Sequence, residues 1–117
     1  MIYPGAAVPI YIATLPVDFR KGIDSLAALV EAKFDLNPFS GAIFVFRSKR
    51  ADRIKLLLWD GTGMVLVTKR LEDAAFTWPT VRDGIMKLSR AQFEALLEGV
   101  DWRRVRSREA RVPQRAA

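Results

Sequence analysis

Three apolar runs lie end to end between Ala42 and Leu71: AIFVF, RIKLLLW and MVLVTKRL. They are separated by Ser48 to Asp52 and by Asp60-Gly61-Thr62-Gly63, both rich in turn formers, so the pattern predicts a three-stranded antiparallel meander. In the second run Ile54, Leu56 and Leu58 share one face, while Lys55, Leu57 and Trp59 share the other. Both faces are largely apolar. One is therefore expected to take a helix, and the other to be covered by C-terminal elements or by a partner. Upstream, a lead-in over residues 1–7 gives way to a short strand around Val8 to Ala13, which Pro9 is expected to keep at a sheet edge.

Phe19, Ile23, Leu26, Ala27, Val30 and Phe34 recur at spacings of three and four, the stripe of a helix packed on one side. Asp18 is the expected N-cap, residues 35–41 a loop, and Asn37-Pro38 a stop signal. Phe76-Thr77-Trp78-Pro79 should be extended, because the residue before proline avoids the helical region. Ser89-Arg90-Ala91-Gln92 fits a capping box opening a short helix, with Phe93, Leu96 and Leu97 as its apolar face and Gly99 as its left-handed terminator. The expected fold class is α+β, a single domain over residues 1–103. It consists of an antiparallel β-meander sheet packed with one longer helix and a short C-terminal helix. Residues 104–117 form a basic tail with a proline and little to bury, expected to be disordered.

At 117 residues the chain has room for one core. No apolar stretch approaches the roughly 20 residues of a membrane span, and the N-terminus lacks a signal pattern, so a soluble cytoplasmic protein with no membrane partner is expected. There is no cysteine and no histidine. That removes disulfides, thiolate catalysis and the commonest zinc ligands and proton shuttle. The net charge of +6 points to a polyanionic partner. The charge is blocked: residues 47–70 carry +5 and 103–117 carry +5, whereas 71–102 carry −3.

In a meander strand ends alternate, so Arg47, Lys49, Arg50, Arg53, Lys55, Lys69 and Arg70 should meet on one rim, within about 10 Å of one another. Such a cluster repels itself unless an anion completes it. Phosphate contact is the favoured reading, and a basic loop kept for solubility and edge protection is the alternative. Nothing resembles a base-reading helix, so contact with DNA should be largely independent of sequence. Arg20 and Lys21, placed in the first turn of the longer helix, are a second candidate: free helix amides and two cations could receive a phosphate. Otherwise they are solvated or paired with Asp18 or Asp24. Trp59, Trp78 and Trp102 are read as core residues before base-stacking ones. Asp60-Gly61-Thr62-Gly63 lacks the lysine of a phosphate loop and reads as a hairpin. Asp18, Asp24, Asp35, Asp52, Asp60 and Asp101 are scattered, which argues against a metal-dependent nuclease. No catalytic residue, metal or cofactor is expected.

Four segments occur in a familiar order: Asp18-Phe19-Arg20-Lys21-Gly22; Pro38-Phe39-Ser40-Gly41 running into Phe44-Val45-Phe46-Arg47; Asp52-Arg53-Ile54-Lys55 leading to Trp59-Asp60-Gly61; and Leu97-Glu98-Gly99-Val100-Asp101-Trp102-Arg103. Over residues 8–103 the chain resembles the small accessory protein, called TnpB or the second-frame protein, of the IS sixty-six type of bacterial insertion sequences. This family is distinct from the RNA-guided nuclease that shares the name TnpB. The resemblance implies a non-catalytic accessory role in transposition, with the transposase and a sister accessory protein of the element as partners. Pro9, Asp73 and Ala75 stand where the family pattern is more basic, so the turn at 73–75 is left out of the DNA-contact set. Two hypotheses follow. In one the protein holds DNA electrostatically while docking on the transposase; in the other it is a pure protein-protein interaction module with no DNA contact.

Overall fold

The computed structural model describes residues 8–80 and 84–105. The lead-in over 1–7 and the tail from residue 106 onward lie outside the described residues. The elements are β1 (Ile10–Ala13), α1 (Ile23–Phe34), β2 (Ile43–Arg47), β3 (Arg53–Trp59), β4 (Met64–Arg70), β5 (Ile85–Leu88), α2 (Arg90–Leu97) and a 3-10 turn at Trp102–Arg104. The strands form one five-stranded sheet in the order β4-β3-β2-β1-β5. The fold is α+β, and the expected meander is β2-β3-β4, with Val45 opposite Leu56 and Leu57 opposite Leu66.

β1 departs from expectation. It lies inside the sheet, parallel to β2 and antiparallel to β5. Pro9 does not prevent this, because it precedes the first paired residue and contributes only its carbonyl, which accepts from the Ile43 amide at 3.0 Å. β5 itself has no counterpart among the expected strands. Its four residues alternate between the faces, Met86 and Leu88 opposite Ile12 and Ile10, Ile85 and Lys87 opposite Ala13 and Tyr11. Four residues are too few for the alternation to stand out from the surrounding loop.

The two-sided apolar character of β3 is resolved as expected. Leu57 joins Phe44, Phe46 and Ala13 on one face, where Leu26 and Val30 of α1 close over them. Ile54, Leu56 and Leu58 join Ile12 and Val45 on the other, beneath Leu96 of α2, Phe76 and Trp102. Buried Trp102 and half-buried Trp78 both satisfy their indole N–H groups: Trp102 donates to the Thr77 carbonyl at 2.8 Å and Trp78 to the Ala13 carbonyl at 2.7 Å. The capping box is formed, the Gln92 amide donating to Ser89 Oγ at 3.1 Å and the Ser89 amide to Gln92 Oε1 at 2.9 Å. Gly99 follows with φ +76° against Leu71.

The longer helix starts later than its apolar stripe suggests. Its N-cap is Gly22, with no side-chain cap, and its first turn carries Asp24. Arg20 and Lys21 therefore precede the helix. The cause is local: the Asp18 carboxylate accepts the Arg20 amide at 3.0 Å, and the Asp18 carbonyl accepts the Lys21 amide at 3.0 Å, closing a turn. The ammonium of Lys55 then takes the carbonyls of Phe19 and Lys21, at 2.7 and 2.8 Å. An α-helix begun at Phe19 would need those carbonyls for the amides of Ile23 and Ser25.

The Asp60 turn is a hairpin, Asp60 N–H donating to the Gly63 carbonyl at 3.1 Å. The Asp60 carboxylate accepts the amides of Thr62 and Gly63, which holds its pKa below the usual carboxylate range. A carboxyl depressed in the folded state adds stability above its unfolded pKa of about 3.9 and loses it as pH falls through the folded value. Urea unfolding between pH 6 and pH 3 should therefore show a larger loss for the wild type than for Asp60→Asn. Truncation of the buried Trp102 to alanine should cost about 3–5 kcal/mol in the same assay at neutral pH.

Candidate functional site

The β2–β3 connection is a rigid turn built around Ser48. Its amide donates to the Arg53 carbonyl at 3.0 Å, its hydroxyl accepts the Arg53 amide at 3.2 Å and donates to Asp52 Oδ1 at 3.0 Å. Ala51 adopts a left-handed φ of 55°, a conformation that costs a residue with a Cβ and is held here by the bonds around it. The Ala51 carbonyl accepts the Phe76 amide at 2.6 Å, and the Asp52 carbonyl accepts the Leu71 amide at 2.8 Å. The turn is thus tied at its base, and its tip presents Lys49 and Arg50 to solvent.

Beside it runs the segment between β1 and α1. The Val17 amide donates to the Arg47 carbonyl at 3.0 Å, fixing this segment along the end of β2. Phe19 is half-buried beneath two cations, the Arg53 guanidinium 4.9 Å and the Lys55 ammonium 4.5 Å from its ring centre. Arg20 turns back onto Asp18 in a two-pronged ion pair, with Nη2 to Oδ2 at 2.6 Å and Nε to Oδ1 at 3.0 Å. That pairing holds the Asp18 carboxyl far below its ordinary value. The Arg20 side chain stays 91% exposed, with guanidinium donors left for an incoming anion.

Between turn and segment lies an open cleft of about 610 Å³. Arg20, Lys49 and Arg53 line it together with Asp18, Phe19 and Ser48, and Pro16 and Val17 complete its wall. The structure thereby joins two candidate groups that the sequence keeps apart, the Arg20 region and the β2–β3 rim. Asp18 offsets one of the three cations, so the lining retains a net positive charge.

The other rim cations are placed differently. Register confirms that they share one end of the sheet, Arg53 lying opposite Arg70 and Ile54 opposite Lys69. The pleat then divides them. Arg53, Lys55 and Arg70 stand on the α1 face, Arg47 and Lys69 on the α2 face. Lys55 is occupied by the two carbonyls. Arg47 lies over the Trp78 ring at 5.9 Å, donates Nη1 to the Lys49 carbonyl at 3.2 Å, and has its pKa lowered by burial. Lys69 donates to the Leu97 carbonyl, and Arg70 pairs with Glu72 at 3.0 Å. Lys21 is half-buried next to the cleft and outside its lining, and Arg50 extends from the tip.

Asp18, Phe19 and Ser48 shape the cleft and were not among the expected site residues. Their signals are present in the sequence: Asp18-Phe19-Arg20 is an aspartate turn with an arginine in reach of its own carboxylate, and Ser48 four residues before Asp52 is a side-chain-closed loop. Among the described residues no three Asp, Glu, His or Cys side chains gather as a metal site would require. Among the same residues no helix is long and apolar enough to cross a membrane.

Fold and cleft define a small α+β protein with a basic rim at one end of its sheet. The family profile described as IS66 Orf2 like protein matches residues 8–107, and the chain belongs to that family. Membership carries an accessory role in transposition, in a family not known for catalysis. The chain is similar to the uncharacterized protein y4jC of Sinorhizobium fredii (strain NBRC 101917 / NGR234), 44% identical over 117 residues and 100% of both chains. It is also similar to the uncharacterized protein y4hO of the same organism, 42% identical over 103 residues, 88% of this chain and 90% of the relative. No solved structure matches significantly.

The cleft depends on its supports more than on its exposed charges. Lys55→Met should orphan the Phe19 and Lys21 carbonyls and lower stability by about 1–3 kcal/mol, and Ser48→Ala, which strips the Arg53 amide and Asp52 of their partner, by a similar amount. Lys49→Ala, at the solvated tip, should stay within about 0.5 kcal/mol of the wild type. Denaturant titration of the three variants checks this order.

Proposed function

We propose that the protein assists transposition of its insertion sequence without catalysis, contacting the DNA backbone through the cleft of Arg20, Lys49 and Arg53 while docking on the transposase or a sister accessory protein. The observation that carries this is the convergence of three cations from two separate segments on one open cleft, with a residual positive charge. Arg50 at the tip, and Lys21, Arg47, Lys69 and Arg70 around it, extend the positive field over the rim, whereas Lys55 contributes through its support of the wall. A phosphate oxygen can accept from Arg20 and Arg53 without displacing the Arg20–Asp18 pair, because a guanidinium has five donors. No recognition element enters a groove, so the contact reads the backbone and not the bases. For docking, the opposite rim offers Phe39, 51% exposed and edge-on to Trp59 at 5.7 Å, an aromatic pair suited to a protein surface.

The rival reading uses the same cleft for an acidic patch on the transposase, with DNA never touched. Both readings are separated by salt-dependent binding to element-end DNA. Backbone contact predicts a mobility shift at low salt whose log–log salt slope falls by about 0.9 for each phosphate contact removed, so the Arg20→Ala, Lys49→Ala, Arg53→Ala triple variant should lose up to about 3 from that slope. The loss should be uniform across DNA sequences. Absence of any shift at low salt, or an unchanged slope in the triple variant, sinks the DNA contact.

A further inference from the structure

β4 is the outer strand of the sheet, and among the described residues nothing pairs with its free side. The phase of its hydrogen bonds is fixed at both ends. Asp60 N–H donates to the Gly63 carbonyl and Leu71 N–H to the Asp52 carbonyl, so the odd-numbered residues from 63 to 71 bond to β3. The amides and carbonyls of Met64, Leu66, Thr68 and Arg70 consequently point away from the sheet. Seven residues long, with a run of four apolar side chains from Met64 to Val67 that are all half-buried, this edge is long and greasy for a free one. The other edge, β5, has four residues.

We infer that β4 pairs antiparallel with β4 of a second copy of this chain, about a two-fold axis at Leu66, joining two sheets into one of ten strands. The occupant follows from the distribution of charge along the strand. Its first half is apolar and its second half carries Lys69 and Arg70. Antiparallel self-pairing about Leu66 sets Leu66 against Leu66, Met64 against Thr68 and Val65 against Val67. It also sets Lys69 and Arg70 against Gly63 and Thr62 of the other copy, where the Asp60 carboxylate sits. Parallel pairing would instead stack the cations on one another. The outward-pointing residues match in this register, since Met64, Leu66, Thr68 and, beyond them, Arg70 all meet even-numbered partners. The half-buried Val65 and Val67 lose their remaining exposure on the α2 side, and Leu66 on the α1 side. The two basic clefts end on opposite rims and neither is covered. Pairing therefore neither needs DNA nor competes with it, and its failure would leave the proposed DNA contact standing.

The chain contains no cysteine, which makes cross-linking clean. Light scattering on the full chain, without DNA, over micromolar to near-millimolar concentration should show the mass rising from 13.2 kDa to twice that value. Thr68→Pro removes an outward amide, which an edge strand tolerates, and should return the protein to the single-chain mass with its circular dichroism intact. Leu66→Cys should convert to a disulfide-linked dimer under mild oxidation, while Lys49→Cys, at the far turn, should not. A wild type that stays at the single-chain mass throughout, a dimer that survives Thr68→Pro, or equal cross-linking at positions 66 and 49 would each overturn the pairing. Should Thr68→Pro fail to fold, the two cysteine variants decide alone.

Discussion

The Arg53–Trp59 strand is apolar on both faces, and a strand of that kind has to be covered twice. Leu57 can leave water only beneath α1, and Ile54, Leu56 and Leu58 only beneath the C-terminal elements. Everything else in the fold is arranged around that requirement. The crossover from β1 through α1 to β2 lays the helix on one face, which is why β1 ends up parallel to β2 inside the sheet. The chain after β4 then wraps the second face with Phe76, Trp102 and Leu96 before and after it supplies β5. At about 25 cal/mol per Å² of apolar surface removed from water, neither cover can be dispensed with in a domain this small.

The same strand carries the polar exception that shapes the site. Lys55 lies on the α1 face, where an apolar residue would be expected, yet its ammonium finds two carbonyls and the face of Phe19. A cation in that position is stable only if it is so supplied, because an ammonium removed from water without acceptors is costly. In satisfying it, the chain gives up a turn of helix and lays residues 16–22 along the rim as an irregular segment. That segment brings Arg20 to Lys49 and Arg53. Charge on the protein surface is thus placed by a half-buried charge whose own role is structural.

Much of this was legible. The three apolar runs and the turn formers between them located the meander, the alternation of β3 gave its two faces, and Ser89 with Gln92 located α2. What the sequence concealed has physical causes. Pro9 marks an edge strand only if its missing amide faces a neighbour, and here it falls one residue before the pairing begins. β5 is too short for its period to register. The start of α1 was concealed because Phe19 falls on the helical stripe while its carbonyl is claimed by a residue 36 positions away. For the site, the rim position of the cations could be read from strand alternation, but their division between the faces depends on the pleat, and their availability depends on carbonyls and aromatic rings that only the fold brings near.

That distinction bears on how a basic surface is to be understood in an accessory protein. Counting cations treats Arg47, Lys55 and Lys69 as equal to Lys49, yet the first three are fastened to main-chain oxygens or lie over a ring. Moving Arg47, Lys55 or Lys69 to a phosphate would break a bond to a main-chain carbonyl. Arg20 and Arg53, by contrast, are held by side chains alone, Arg20 by Asp18 and Arg53 by the Phe19 ring at 4.9 Å and Asp52 at 3.9 Å, and Lys49 stands exposed at the tip. Long-range attraction sums over all the charges; short-range affinity comes from those already oriented and free to donate. On the proposed reading, the whole rim would gather a polyanion and the cleft would hold it, with the hydrogen bonds of the Ser48 turn fixing the geometry in advance of the ligand.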